Sequence, residues 1–284
     1  MSASSVVPTS HYLQCCDREV HYVEWGEPDA PAVLLWHGLA RNGRDFDELA
    51  IALAPTYRII CPDMIGRGLS QWSPLPDAEY CFDFYSQVAL ALVDQLGIKQ
   101  MRWVGTSMGG ALGIRAGATT LKGRITHLAL NDIGATSAAP EGAARIVTYV
   151  SNPLTFATVT EFEAQLREVY KPFGWMSDTQ LRRMAETSVR RLPNGRITPH
   201  YDPHIVRQFA AHPTDYVQWE YYDRLDMPTL LLRGADSDLL TRDVAQQMTR
   251  RGPRAELVEI AGCGHAPALN VPDQIDLIRR FFAR

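Results

Sequence analysis

Apolar positions occur along the first half of the chain in two alternating rhythms. Short continuous runs, Val20–Trp25, Ala32–Trp36, Arg58–Pro62, Arg102–Gly105 and Ile125–Asn131, read as strands. Between them, apolar residues at helical spacing predict helices over Asp45–Ala54, Tyr85–Leu96, which stops at Gly97, and Met108–Ala118. Runs such as Val33-Leu34-Leu35-Trp36 and Thr229-Leu230-Leu231-Leu232 have no polar alternate. That is the mark of a strand covered on both faces, and the β-α-β-α order predicts a mostly parallel sheet flanked by helices.

The rhythm breaks after about Ala135. Residues 136–213 carry helical patterns, at Glu161–Tyr170 and at Asp178–Leu192 with Asp178 as a candidate cap, but no convincing strand. Alternation resumes with strands over Pro228–Arg233 and Ala255–Ile260 and helices over Arg242–Arg250 and Val271–Phe282. The expected organisation is therefore an α/β core from residues 1–135 and 214–284, with a helical cap inserted at 136–213. Such a cap would lie over the carboxyl edge of the sheet, where open α/β sheets bind ligands.

Gly105-Thr106-Ser107-Met108-Gly109 falls where a predicted strand meets a predicted helix. A serine on so sharp a turn needs small neighbours two residues away on either side, and Gly105 and Gly109 satisfy that. Gly109, Gly113 and Gly117 share one helical face, which lets the helix press against the sheet. The helix start offers free N–H groups and a positive dipole end beside the serine.

With this turn, with His37-Gly38 after one strand and with Pro62-Asp63-Met64-Ile65-Gly66-Arg67-Gly68-Leu69-Ser70 after the next, the sequence resembles the α/β-hydrolase superfamily over essentially its whole length. The resemblance implies an α/β-hydrolase fold, a Ser107 nucleophile and a chain order of serine, acid, histidine. Of eight histidines, His265 in Gly262-Cys263-Gly264-His265-Ala266-Pro267 occupies the family's place for the base. The acid is expected after the strand between elbow and histidine, where Arg233-Gly234-Ala235-Asp236-Ser237-Asp238 offers two aspartates. The family's Gly-x-x-Ser-Asp pattern points to Asp238, with Asp236 as the alternative. The oxyanion donors implied are the backbone N–H groups of Met108 and Leu39. His37 and Asp63 look like loop-fixing residues. Arg41 and Asn42 near the mouth, and Phe173 and Trp175 in the cap, are candidate substrate contacts, although Arg41 could instead pair with Asp45 or Asp47.

These residues suit hydrolysis of a small to medium carboxylic ester, lactone or thioester through an acyl-enzyme. Carbon–carbon bond hydrolases of the meta-cleavage type carry a similar Ser-Met-Gly-Gly run, yet they place a tryptophan where Ala266 stands. A non-catalytic small-ligand receptor on the same fold is the remaining alternative. Neither a cofactor nor a metal is implied, and no His-Glu-x-x-His pattern occurs. A net charge of −4 and a pI near 6.1 argue against a nucleic-acid partner. Five cysteines without a paired spacing, no leader-like pattern in Met1–Ser10 and no apolar run of about 20 residues lead to the expectation of a cytoplasmic protein off the membrane. The oligomeric state is not legible.

Overall fold

The computed structural model describes residues 7–136 and 140–284. Met1–Val6, the start of the segment examined for a leader, lie outside the described residues. Eight strands form the central sheet: β1 (Thr9–Cys15), β2 (Arg18–Trp25), β3 (Ala32–Trp36), β4 (Arg58–Pro62), β5 (Met101–Thr106), β6 (Ile125–Asn131), and then β9 (Thr229–Gly234) and β10 (Glu256–Ile260). A separate hairpin, β7 (Val189–Arg191) and β8 (Ile197–Pro199), lies in the segment between β6 and β9. The sheet order is β1-β2-β4-β3-β5-β6-β9-β10. β1 and β2 run antiparallel, β2 meets β4 antiparallel, and every later pairing is parallel.

The apolar runs are continuous because each strand feeds two cores. Leu34, Trp36, Trp103, Leu128, Leu130 and Leu231 face one side, covered by helices Phe82–Gln95 and Met108–Ala118. Val33, Leu35, Val104, Ala129, Leu230 and Leu232 face the other, covered by helices Asp47–Leu53 and Pro272–Phe282. All five residues of β3 are buried, and so are all six of β9. Trp36 and Trp103 stack at 4.9 Å across β3 and β5.

Chain direction reverses about β3: the chain steps from β3 to β4 on one side, then to β5 on the other. The loops leaving β3 and β5 therefore flank one crevice at the carboxyl edge, the place where doubly wound sheets hold ligands. The helix Met108–Ala118 can sit against this edge only because its first turn lacks side chains. A Cβ on Gly109 would lie 2.1 Å from the Trp36 carbonyl oxygen, and one on Gly105 would lie 2.2 Å from the Gly109 oxygen. Both obstacles are backbone and cannot swing away. Gly109→Ala is expected to destabilise the fold by about 3 kcal/mol or to prevent folding. A urea midpoint close to wild type would show that the strand–turn–helix packing differs from this one.

Three local readings change. The expected helix over Asp178–Leu192 ends at Thr187, and its cap is Ser177 rather than Asp178. Ser177 accepts from the Gln180 N–H while the Gln180 side chain accepts from the Ser177 N–H, a reciprocal box that leaves Asp178 in the first turn. The rest of the expected helix becomes β7, which turns at Asn194-Gly195 into β8. Segment 136–213 is thus not purely helical. Finally, β1 was not foreseen: it is an exposed edge strand with only a single fully buried residue, Cys15, to mark it.

Candidate active site

Ser107 sits at φ 52°, ψ −117°, in the left-handed region that side chains other than glycine rarely occupy. The strain is held by backbone bonds on both sides. Ser107 N–H donates to the Asn131 carbonyl at 2.9 Å, and the Ser107 carbonyl accepts from Gly110 at 2.9 Å and Ala111 at 3.0 Å. The hydroxyl is thereby pushed off the end of β5 into the crevice. His265, on the loop after β10, places Nε2 2.9 Å from Ser107 Oγ, and its Nδ1 lies 2.8 Å from Asp132 Oδ2.

The acid in this hydrogen-bonded line is Asp132, not Asp238 or Asp236. Asp132 is the first residue after β6, the strand next to the serine's own, and it is fully buried. Its carboxylate accepts from the Gly234 N–H at 2.8 Å and from the Ser237 hydroxyl at 2.5 Å as well as facing the imidazole. Asp236 and Asp238 are exposed. The loop after β9 is turned by Arg233, which donates to the carbonyls of Leu240 at 2.8 Å and Ser237 at 3.3 Å. In that turn the residue aimed inward is Ser237, and it meets a carboxylate already supplied by β6. The signal was present in the sequence as Asn131-Asp132, an aspartate one step beyond the carboxyl end of a correctly placed strand.

Met108 and Leu39 are the residues whose backbone N–H groups the sequence offers as oxyanion donors. Met108 begins the helix after the serine, Leu39 lies in the loop after β3, and among the described residues neither backbone N–H has a protein acceptor. The loop carrying Leu39 is fixed by His37 and Arg67. His37 Nε2 accepts from the Met64 N–H at 2.9 Å, so Nδ1 carries the proton and donates to the Gly38 carbonyl at 2.7 Å. That bond falls on the same peptide unit whose N–H belongs to Leu39. Arg67 is completely buried; it donates to the Leu39 carbonyl at 2.8 Å, and its other arm lies 3.5 Å from Met108 Sδ. Asp63 fixes the next loop by accepting from Gly43 at 2.7 Å, Leu69 at 2.9 Å and His21 Nδ1 at 2.8 Å.

Burial pushes His37 down to about 4, because the imidazolium would lose its hydration there. An unfolded chain takes up that proton near pH 6.5, whereas the folded one resists until about pH 4. Stability from this group is therefore complete above pH 6.5 and declines as pH falls toward 4, by up to about 1.4 kcal/mol per pH unit. His37→Gln is expected to be less stable than wild type at pH 7, with the gap in urea midpoint narrowing toward pH 4.5. A constant gap would mean that His37 is not held neutral.

The four candidate substrate contacts separate. Arg41 and Phe173 line a cavity of about 380 Å³ that reaches Ser107 and His265. Arg41 is also bound through Nε at 2.8 Å and Nη2 to the Asp45 carboxylate, the ion pair weighed for it from the sequence. Asn42 is not a lining residue. It caps a short 3₁₀ turn by accepting from Arg44 at 3.0 Å and donates to the Thr187 carbonyl at 3.0 Å, which ties the β3 loop to the segment above. Trp175 is 69% exposed and does not line this cavity, since Gly174 turns the chain outward just before it. Tyr149, not singled out from the sequence, and the cap aromatic Tyr170 also line it. Among the described residues no group of three or more His, Cys, Asp or Glu is placed to hold a metal ion.

The sequence model of the α/β hydrolase fold matches residues 31–270. The chain belongs to the α/β-hydrolase family. A 3-hydroxybutyrate-oligomer hydrolase from Cupriavidus necator is 35% identical over 297 aligned positions, covering 99% of each chain. The crystal structure of an α/β hydrolase from Novosphingobium aromaticivorans superposes with a TM-score of 0.87 at 35% identity, covering 99% of each chain. A putative hydrolase from Rickettsia typhi superposes with a TM-score of 0.88 at 28% identity over 98% of this chain and 99% of that one. This α/β hydrolase matches these three along 98–99% of its length, and no helix among its described residues is long and apolar enough to cross a membrane.

Proposed function

We propose that this α/β hydrolase cleaves small to medium carboxylic esters through an acyl-enzyme, with segment 136–213 acting as a cap over the site. The observation that carries the reading is the continuous line Ser107 Oγ to His265 Nε2 at 2.9 Å and His265 Nδ1 to Asp132 at 2.8 Å, beside a cavity of about 380 Å³. His265 takes the serine proton as Oγ attacks the ester carbon, since a serine hydroxyl is a weak nucleophile by itself. The oxygen that becomes negative is met by the N–H groups of Met108 and Leu39, each donor contributing about 3–4 kcal/mol to lowering the barrier. His265 then protonates the departing alcohol. Water enters, gives a proton to His265 as its oxygen bonds the acyl carbon, and the acyl–Oγ bond then breaks with His265 returning that proton to Ser107 as the acid leaves. Asp132 holds the imidazole in the tautomer that accepts at Nε2 and stabilises the imidazolium between these steps.

The name of the Cupriavidus relative makes short hydroxyacid esters natural substrates to test beside lactones and thioesters. Turnover of p-nitrophenyl butyrate with an initial burst of p-nitrophenol is the expected result. Folded protein that turns over no member of an ester, lactone and thioester series would overturn the reading and favour a binding role.

A further inference from the structure

Two cavities that share Leu39, Ser107 and Ile146 in their walls meet at the nucleophile. The first, of about 380 Å³, is bounded at the reaction end by Ser107, His265 and Ala266 and further out by Arg41, Tyr149 and Tyr170. The second, of about 210 Å³, also reaches Ser107 and Leu39, but its walls are Ile133, Phe209, Tyr216 and Leu239. An ester carbon bonded to Ser107, with its oxygen toward Leu39 and Met108, has two substituents to house. Two cavities meeting at the nucleophile match that need.

His265 decides which substituent goes where. The leaving oxygen must receive its proton from Nε2, so the alcohol arm has to start beside the imidazole. His265 borders only the first cavity. The acyl arm is then left with the second.

The far walls differ in chemistry. In the first cavity Arg41 lies over the Tyr170 ring at 4.9 Å, and its pairing with Asp45 uses two of its five N–H donors. Burial and the neighbouring Tyr170 phenol push the Tyr149 phenol up, and burial pushes that of Tyr170 up, so both stay protonated; Tyr149 and Arg41 also hydrogen-bond to Tyr170, whose own hydroxyl proton is left to donate. Asp45 lines the same cavity and neutralises Arg41, so this wall offers the remaining Arg41 N–H groups and the Tyr170 hydroxyl as donors without a net charge. In the second cavity Tyr216 stacks on Phe209 at 5.5 Å, His212 is occupied by the Asp77 carbonyl at 2.7 Å, and no Lys or Arg lines the space among the described residues. It offers apolar contact and little else.

We infer that the substrate is an ester of a hydroxy acid, seated with its carboxylate or next carbonyl against Arg41, Tyr149 and Tyr170 and with an unbranched apolar acyl group in the second cavity. The inference rests on the esterase reading above. In the step it describes, the bond between acyl carbon and alcohol oxygen breaks. The acyl group stays on Ser107 Oγ, and the hydroxy acid leaves with the proton that His265 took from the serine.

Two isomeric esters test the seating. In 3-(butanoyloxy)butanoate the carboxylate is on the alcohol arm; in mono-sec-butyl succinate it is on the acyl arm. The expected kcat/KM is higher for the first by about tenfold or more. Arg41→Gln and, as a milder change that keeps the ring, Tyr170→Phe should each shrink that ratio. Hydrolysis of p-nitrophenyl butyrate is the control for the reaction itself. If the control is hydrolysed while the two isomers are cleaved equally, in reversed order or not at all, the seating is wrong and the esterase reading stands. If the control and both isomers are inert, the esterase reading fails first. Comparing the methyl ester of 3-(butanoyloxy)butanoate separates the two acceptors: retention of the advantage assigns the subsite to a carbonyl, and its loss assigns it to a carboxylate.

Discussion

Asp132→Asn should lower kcat for p-nitrophenyl butyrate by about four orders of magnitude with little change in KM. The substitution is nearly isosteric, and the site is fully buried, so the shape of the crevice survives. What changes is the partner of His265 Nδ1. An asparagine can present an N–H there, which favours the tautomer with its proton on Nε2, and such an imidazole cannot accept from Ser107. It also lacks the negative charge that steadies the imidazolium after proton transfer. Asp238→Asn, on an exposed loop position, should stay within about two- to threefold of wild type. Stopped-flow or steady-state rates on both variants, with urea midpoints to show that each is folded, are the measurement. The opposite ranking would return the acid to position 238.

Ser107→Ala should cost about six orders of magnitude in kcat and leave a folded protein. The residue keeps its positive φ because the bonds from Ser107 N–H to Asn131 and from Gly110 and Ala111 to the Ser107 carbonyl are made by backbone. Loss of one hydroxyl removes the atom that hydrogen-bonds His265 Nε2 at 2.9 Å beside the cavity. An alkyl fluorophosphonate should add one phosphonyl mass to wild type, at Ser107, and none to the variant. Labelling of the variant, or wild-type-like turnover by it, would mean that another nucleophile does the work.

Much of the frame was legible from local pattern. β3, β4 and β6 begin and end where expected, because their centres, residues 33–35, 59–61 and 128–130, are apolar and buried on both faces. Helix Met108–Ala118 was equally plain, since only glycine fits where Gly109 meets Trp36. Edge strand β1 was missed for the converse reason: exposed on much of its length, it carries no apolar run. Strand β7 was read as the tail of a helix, and β8 was not read at all, because three-residue strands are too short for a period to declare itself.

The sequence by itself determined the strand–turn–helix at Ser107 and the loop of His265, because both depend on small residues adjacent in the chain. It also determined that these would face one sheet edge, since parallel order follows from alternating elements. Only the tertiary structure decided which aspartate meets His265. Three aspartates follow strands between Ser107 and His265, and nothing local tells them apart. What separates them is that β6 lies beside β5 in the sheet while the loop after β9 is turned by Arg233 so that Ser237, not an aspartate, points inward. The same holds for Arg41: its place over Tyr170, on the wall of a cavity ending at Ser107, joins residues 129 positions apart, a proximity created by folding alone.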